Sequence, residues 1–358
     1  MQNLKERKVA NAKNNVSNLE GFDPQTKESK VGALTQVNLN SEEYKVEKLN
    51  DLKPGANKIH FKSRTMGGDL RLAGLLFLPK DFDPNLKYPT IVYSGPFNQV
   101  KEQTGAFYGK KMSEKGYIFL SFDHQGYGES EGQIRHYEYA PARIEGIQDA
   151  VSFLRMHSFV DREKLYGLGV CAGASHMAYT ALTDKRIKKV AFVAGMLVNT
   201  MVQFVVNKKE KSDEILLRAN EARQKFYETN EVTLIDALDT ENAKDSKIRD
   251  QREGYDFYMT KRAGKETYPN YTHLAPEFFV EDMARHSARA IAKFITTPTI
   301  TIYGGKASTK IFSLLFNWAR KGKKESVGIK GATHVDLYDV DKYVDQVANH
   351  MDRFFGAK

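Results

Sequence analysis

One cysteine stands in the 358 residues of this chain, and its neighbours indicate what it could do. Cys171 lies in LYGLGVCAGASHMAY, with Gly169 and Gly173 two residues to either side, an apolar run before it and small residues after it. Gly-x-Cys-x-Gly at a strand-to-helix junction has the form of a nucleophile elbow with cysteine in the serine position. Its glycines let strand and helix approach closely, while the turn forces the residue between them into strained backbone angles. Such a bend would hold the thiol above a sheet at a helix N-terminus, where the dipole and free N–H groups lower its pKa and receive an oxyanion. A lone cysteine can also be a space-filling core residue; the strand before it and the helix after it favour the nucleophile.

A thiol nucleophile needs a base. Of the nine histidines, His334 in GATHVDLYD follows the last strand pattern and precedes the last helix, which puts it at the C-terminal end of a strand. Ligands of open α/β sheets bind along that edge, where Cys171 should also emerge. His176 follows the cysteine by five residues in the same helix, and His124 sits in the FDHQGYGES loop. Either could line a substrate pocket.

The elements that must position these groups follow from periodicity. KIHFKS and LRLAGLLFLP read as an antiparallel pair with a turn at Met66–Gly68. TIVYSG and IFLSFD are buried strands, and AFYGKKMSEKGY between them is helical. ARIEGIQDAVSFLRM sets Ile144, Ile147, Val151 and Leu154 on one helix face. KLYGLGV, AGASHMAYTAL and KKVAFVAG continue as strand, helix and strand. After a polar stretch rich in Tyr and Phe, TPTITIYGG, IFSLLFNWARKG, ESVGIKG and DKYVDQVANHMDRFF resume the alternation. The expectation is an α/β class fold: a mostly parallel central sheet flanked by helices, with an inserted helical cap. The divisions expected are an N-terminal arm over 1–55, a core over 56–196 and 296–358, and a cap over 197–295. The cap aromatics, among them Phe226, Tyr227, Phe257, Tyr258 and Tyr271, would form the cap's own small core or line an acyl pocket.

Composition narrows the function classes. Hydrophobic residues at 41% and charged residues at 28% are globular values, and one cysteine excludes an intrachain disulfide. The net charge of +9 comes from lysines spread along the chain without a nucleic-acid motif, so no nucleic acid is expected as partner. The most apolar stretch, residues 195–206, is broken by Asn199, Thr200 and Gln203, so no membrane span is expected. The first fifteen residues lack an apolar leader core; a cytoplasmic location is expected, although a secreted protein without its leader would look the same. There is no metal-ligand spacing, no Walker loop and no Gly-x-Gly-x-x-Gly, so no metal and no cofactor are called for.

Four segments in order, YSGPFNQVKEQ, FDHQGYGESEG, GVCAG and GATHVDLYD, resemble the α/β-hydrolase superfamily and within it the dienelactone-hydrolase-like branch with a cysteine elbow. The resemblance covers about residues 58–195 and 296–355. It implies an oxyanion hole built from two backbone N–H groups: that of Ala172, and one from the loop after the third strand. Pro96 has no N–H to give, which leaves Phe97, then Asn98. The resemblance also implies an Asp or Glu after the seventh strand, where YGGKASTK carries Ala307 instead. A Cys–His dyad is one answer. A carboxylate from elsewhere is another, with Glu102 foremost because its loop borders the oxyanion hole, then Asp336, Glu281 and Asp282. Asp123 is read as fixing its own loop through backbone N–H groups.

The function expected is hydrolysis of an ester, thioester or lactone of a small-molecule acyl substrate, through an acyl-Cys171 thioester. Acyl transfer would use the same intermediate. A non-catalytic binding protein on a hydrolase scaffold is the alternative, favoured by the vacancy at Ala307. A homodimer is compatible with all three.

Overall fold

The computed structural model describes residues 51–64, 69–199, 209–237, 239–247 and 249–357, with Leu49 and two short segments near the N-terminus. Contacts divide the chain into residues 1–47 and 48–358. Of the first unit, Phe22–Asp23 pairs antiparallel with Glu28–Ser29; the rest of the expected arm up to residue 48, and the turn at Met66–Gly68, lie outside the described residues.

The second unit is built on eight strands: β1 (Gly55–Ser63), β2 (Leu70–Leu78), β3 (Tyr88–Ser94), β4 (Ile118–Phe122), β5 (Val160–Val170), β6 (Lys189–Val193), β7 (Thr299–Gly304) and β8 (Lys324–Ile329). They pair in the order β8-β7-β6-β5-β3-β4-β2-β1. Strand β2 runs antiparallel to both β1 and β4; every other neighbour is parallel. The central strands are apolar throughout because helices cover both faces: all of β4 is buried, and so are the last six residues of β5. Edge strand β1 instead alternates over its second half, burying Ile59, Phe61 and Ser63.

The flanking helices are α1 (Thr104–Ser113), α2 (Ala140–Leu154), α3 (Ala172–Thr183), α7 (Lys310–Ala319) and α8 (Asp341–Gly356). Helix α8 buries Val344, Val347, Ala348, Met351, Phe354 and Phe355, an i, i+3, i+4 stripe. In α2 the buried face holds Ile147, Val151 and Leu154 as the spacing predicts, but Ile144 lies at its margin and Arg143 is buried in its stead. That guanidinium is held by the Glu138 carboxylate at 2.5 Å and stacks 4.4 Å above the Tyr127 ring.

Between β6 and β7 the chain forms α4 (Lys209–Thr229), α5 (Arg249–Met259) and α6 (Phe279–Arg285). A short antiparallel pair, Leu234–Asp236 with Leu274–Pro276, joins them. This insertion is mainly helical, as expected, but its aromatics divide. Phe257, Tyr258 and Tyr271 belong to the core cluster that contains Tyr93 and Tyr338, while Tyr227 is exposed. Among the described residues no helix is long and apolar enough to cross a membrane.

Candidate active site

The ends of β3, β5 and β6 lie side by side, with Ser94 opposite Gly169 and Val170 opposite Val193. The loops that leave these strands must therefore meet. Cys171 occupies the bend between β5 and α3 at φ 52° and ψ −117°, a region that few non-glycine residues adopt. The neighbouring contacts hold it there: Cys171 N–H donates to the Val193 carbonyl (3.0 Å), and Gly173 N–H donates to the Gly95 carbonyl (3.0 Å). A Cβ on Gly169 would come within 2.6 Å of Ala174 Cα, and one on Gly173 would overlap the Ser94 carbonyl oxygen. Both glycines are therefore required by close backbone approach. Gly173→Ala is expected to cost about 3 kcal/mol or more of stability, because backbone must move to admit the methyl; the midpoint of a urea melt reads this directly.

The thiol faces two backbone donors, the N–H groups of Ala172 and Phe97, and the hydroxyl of Tyr338. Burial pushes the Cys171 thiol up, against the lowering pull of these three contacts. This reverses the sequence expectation of a lowered thiol pKa: the Ala172 N–H at the helix N-terminus does act on the sulfur, but desolvation of the partly buried thiol is the larger effect.

His334 does not take the thiol directly. Its Nε2 lies 2.9 Å from the Tyr338 hydroxyl, and its Nδ1 lies 2.6 Å from Thr309 Oγ1. The Tyr338 hydroxyl thus bonds the imidazole and also lies near enough to the sulfur to act on the thiol. Burial also pushes the His334 pKa down to about 4, with Asp250 pulling the other way, so the ring is neutral at pH 7.

The place expected to hold a carboxylate is arranged differently. Ala307 is buried, and Thr309, two residues on, supplies its hydroxyl to the far nitrogen of His334. Behind it Asp250, from cap helix α5, accepts from Ser308 N–H (3.2 Å) and from the Ser308 hydroxyl. Glu102 does not reach this position: it pairs with Lys101 Nζ at 2.7 Å. Asp336 accepts the Thr333 N–H (2.9 Å) within its own turn. Glu281 is held by Arg223 and Arg285, and Asp282 accepts the Ala140 N–H at the start of α2 (2.6 Å).

The loop that carries Phe97 is clamped from both sides. Lys101, almost wholly buried, gives its ammonium to Asp123 (2.8 Å) and Glu129 (2.5 Å) as well as Glu102. Asp123 also accepts the Lys101 and Glu129 N–H groups, the loop-fixing role read from sequence. From the cap side, Gln99 donates to the Tyr258 hydroxyl (3.1 Å) and Gln103 to the Ala263 carbonyl (2.6 Å). The Phe97 ring packs 4.9 Å from Phe279.

A cavity of about 270 Å³ opens beside the sulfur, walled by Phe97, Met196, Phe279 and Met283, with Glu138, His176, Asn199, Asp282 and His286 among its polar members. Of the three side chains expected to meet substrate, His176 lines it and two do not. Asn98 is spent on structure: its amide donates to the Thr272 (2.6 Å) and Leu274 (3.0 Å) carbonyls, and its oxygen meets His136. His124 is buried against Phe122, with Nε2 3.3 Å from the Ser94 hydroxyl. Sequence reasoning missed Tyr338, Thr309 and Glu138. The first follows His334 by four residues in the quoted GATHVDLYD, so spacing placed it near the site, but nothing in a tyrosine's type assigned it a task. Among the described residues no three His, Cys, Asp or Glu side chains come together as a metal-ligand set.

Burying neutral imidazoles ties stability to pH. The pKa values of His124 and His176 are held well below the ordinary value by burial, and that of His334 lies about 4. A folded pKa below the unfolded ~6.5 means stability that is complete above pH 6.5 and lost as pH falls toward 4; for His334 alone this is about 3 kcal/mol. Urea midpoints are expected to fall steeply from pH 7 to pH 4.5, and His334→Phe should flatten that slope.

No protein-family model matches the chain. It is 29% identical over 304 residues to the uncharacterized protein YcjY of Escherichia coli (strain K12), covering 84% of this chain and 98% of that one. It is 28% identical over 242 residues to the thiohydrolase aneE of Aspergillus aculeatus, covering 66% of this chain and 73% of that one. The crystal structure of hypothetical protein PA2218 from Pseudomonas aeruginosa superposes with a TM-score of 0.75 at 26% identity, over 90% of this chain and 98% of that one. The chain has the α/β-hydrolase fold. The likeness to a thiohydrolase supports an enzyme of the hydrolase class, and the solved structures of an alpha/beta hydrolase from Penicillium and of a monoacylglycerol lipase share the fold.

Proposed function

We propose that this protein hydrolyses a carboxylic thioester or ester of a small-molecule acyl substrate through a covalent acyl-Cys171 intermediate, on a scaffold of the dienelactone-hydrolase-like kind. One observation carries the reading: the Cys171 sulfur faces two backbone N–H groups and a tyrosine hydroxyl that is itself bonded to a neutral imidazole. As the sulfur attacks the carbonyl carbon, its proton passes to the Tyr338 oxygen while the Tyr338 proton passes to His334 Nε2. The carbonyl π electrons move onto oxygen, where Phe97 and Ala172 N–H groups stabilise them; each such donor is worth about 3 kcal/mol in the transition state. Collapse expels the thiolate or alkoxide, which takes the proton back along the same chain, and water then cleaves the acyl-sulfur bond with His334 as base. Thr309 fixes the imidazole by bonding Nδ1. The thioester preference is supported by the likeness to a protein named a thiohydrolase.

The test is direct capture. Hexanoyl-N-acetylcysteamine, mixed with the protein and quenched in acid within seconds, is expected to leave a hexanoyl adduct on the tryptic peptide containing Cys171, removable by hydroxylamine. Turnover without any adduct on that peptide, in burst and steady state alike, would overturn the covalent reading.

A further inference from the structure

Four buried polar atoms on residues that line the cavity beside Cys171 have no hydrogen-bond partner among the described residues: Glu138 Oε1, His176 Nδ1, Asn199 Oδ1 and Asp282 Oδ1. Glu138 is 3% exposed. Its Oε2 accepts from the Tyr127 hydroxyl (2.8 Å) and from Arg143 (2.5 Å), and the Asn98 N–H also acts on the carboxylate, whereas Oε1 has no partner in good hydrogen-bonding geometry among the described residues. His176 Nε2 stands 3.8 Å from Oε1, beyond hydrogen-bonding distance, and His176 Nδ1 is unpartnered too. Both side chains line the cavity, in a wall that is otherwise largely apolar. A buried acceptor left unmatched is costly, so the ligand or a water must supply a donor here.

Charge chooses among donors. The Glu138 carboxylate already has the Arg143 guanidinium against it, and Asp282 has His286 at 3.2 Å. An ammonium would bring a further cation to a wall where the Arg143 guanidinium already offsets the Glu138 charge. A hydroxyl is neutral, donates to a carboxylate and accepts from an imidazole N–H, the functions that Glu138 Oε1 and His176 Nδ1 leave open side by side, and it can also serve the open Asn199 and Asp282 acceptors. Resting on the acyl-transfer reading above, we infer that the cavity selects acyl groups that are apolar apart from a hydroxyl on the chain, recognised by Glu138 Oε1 and His176. Selection of this kind is strong, because a substrate lacking the hydroxyl leaves the carboxylate oxygen desolvated and unpaired.

The experiment uses matched hexanoyl-N-acetylcysteamine thioesters: the plain chain, the four isomers hydroxylated at C3, C4, C5 or C6, and the methyl ether of the best isomer. At least one hydroxylated isomer is expected to exceed the plain chain by about 10-fold or more in kcat/KM. Its methyl ether, which accepts but cannot donate, should drop back to the plain chain. In the double variant Glu138→Met/Arg143→Met, which removes the acceptor without stranding the guanidinium, the ratio of hydroxylated to plain substrate should fall to near 1. A ratio taken on one protein cancels any change in the active fraction. If turnover depends on Cys171 but every ratio in the wild type lies within 2-fold, this inference fails and the acyl-enzyme reading stands. If no thioester is turned over, the acyl-enzyme reading fails. Calorimetry of the hydroxyhexanamides against hexanamide then decides the inference: a 10-fold tighter isomer supports it, and equal affinities overturn it.

Discussion

Replacing Cys171 with alanine is expected to cut steady-state thioester turnover roughly 10,000-fold or more while leaving the fold intact. The size follows from the division of labour at the site. The Phe97 and Ala172 N–H groups survive the substitution and still polarise a bound carbonyl, so a small residue of catalysis persists. The bond-forming atom is gone, and no second thiol exists to replace it. The elbow tolerates alanine as badly as cysteine, since the positive φ penalises both alike, so stability should move little. His334→Ala should approach the same loss, because it leaves the proton chain without a terminus. Substrate consumption by quantitative chromatography reads both variants. Turnover within 10-fold of wild type in Cys171→Ala would remove the nucleophile from the mechanism.

Tyr338→Phe is expected to lower kcat about 100- to 1,000-fold with little change in KM, the scale of a lost proton-transfer group. The hydroxyl bonds the imidazole and acts on the thiol, so its removal leaves a gap where the proton must pass. It also takes from the thiol one of the contacts that restrain its pKa, which burial already holds up. Alkylation of Cys171 by iodoacetamide should therefore become slower at pH 8 and need a higher pH to reach half its maximal rate. A tyrosine that only filled space would change stability without moving that profile. The double variant Tyr338→Phe/His334→Ala should be no slower than His334→Ala, since residues serving one transfer are not additive. Additive losses would mean that His334 acts by a route independent of the tyrosine.

The same residues mark where sequence reading succeeded and where it stopped. Strand and helix alternation, the elbow glycines and the placement of His334 after the last strand were readable because each is local: a run of β-branched residues, a pair of glycines two apart from a cysteine, a histidine in a polar loop after GIKG. The parallel sheet follows from the alternation, because helices on both faces demand strands apolar throughout. The sequence also limited which backbone N–H groups of the loop after the third strand could be oxyanion donors, since only proline lacks one.

What depended on contacts between distant segments was not readable. Glu102, Asn98 and His124 have suitable types in suitable loops, yet Lys101, the cap carbonyls and Ser94 claim them, and none of these claims leaves a trace in local spacing. Arg143 reads as a solvated charge on a helix until Glu138 is brought against it. The pKa values behaved likewise. A helix N-terminus lowers a thiol in any sequence that presents one, but the burial that outweighs it is set by the tertiary surroundings. Chain order alone determined that a thiol would stand on a strained bend at the C-terminal edge of a parallel sheet. Only the folded structure decided that the Tyr338 hydroxyl bonds one nitrogen of His334, that the Thr309 hydroxyl meets the other, and that Glu138 and His176 line the cavity beside the thiol, because those choices are made by side chains tens to hundreds of residues apart competing for the same few ångströms.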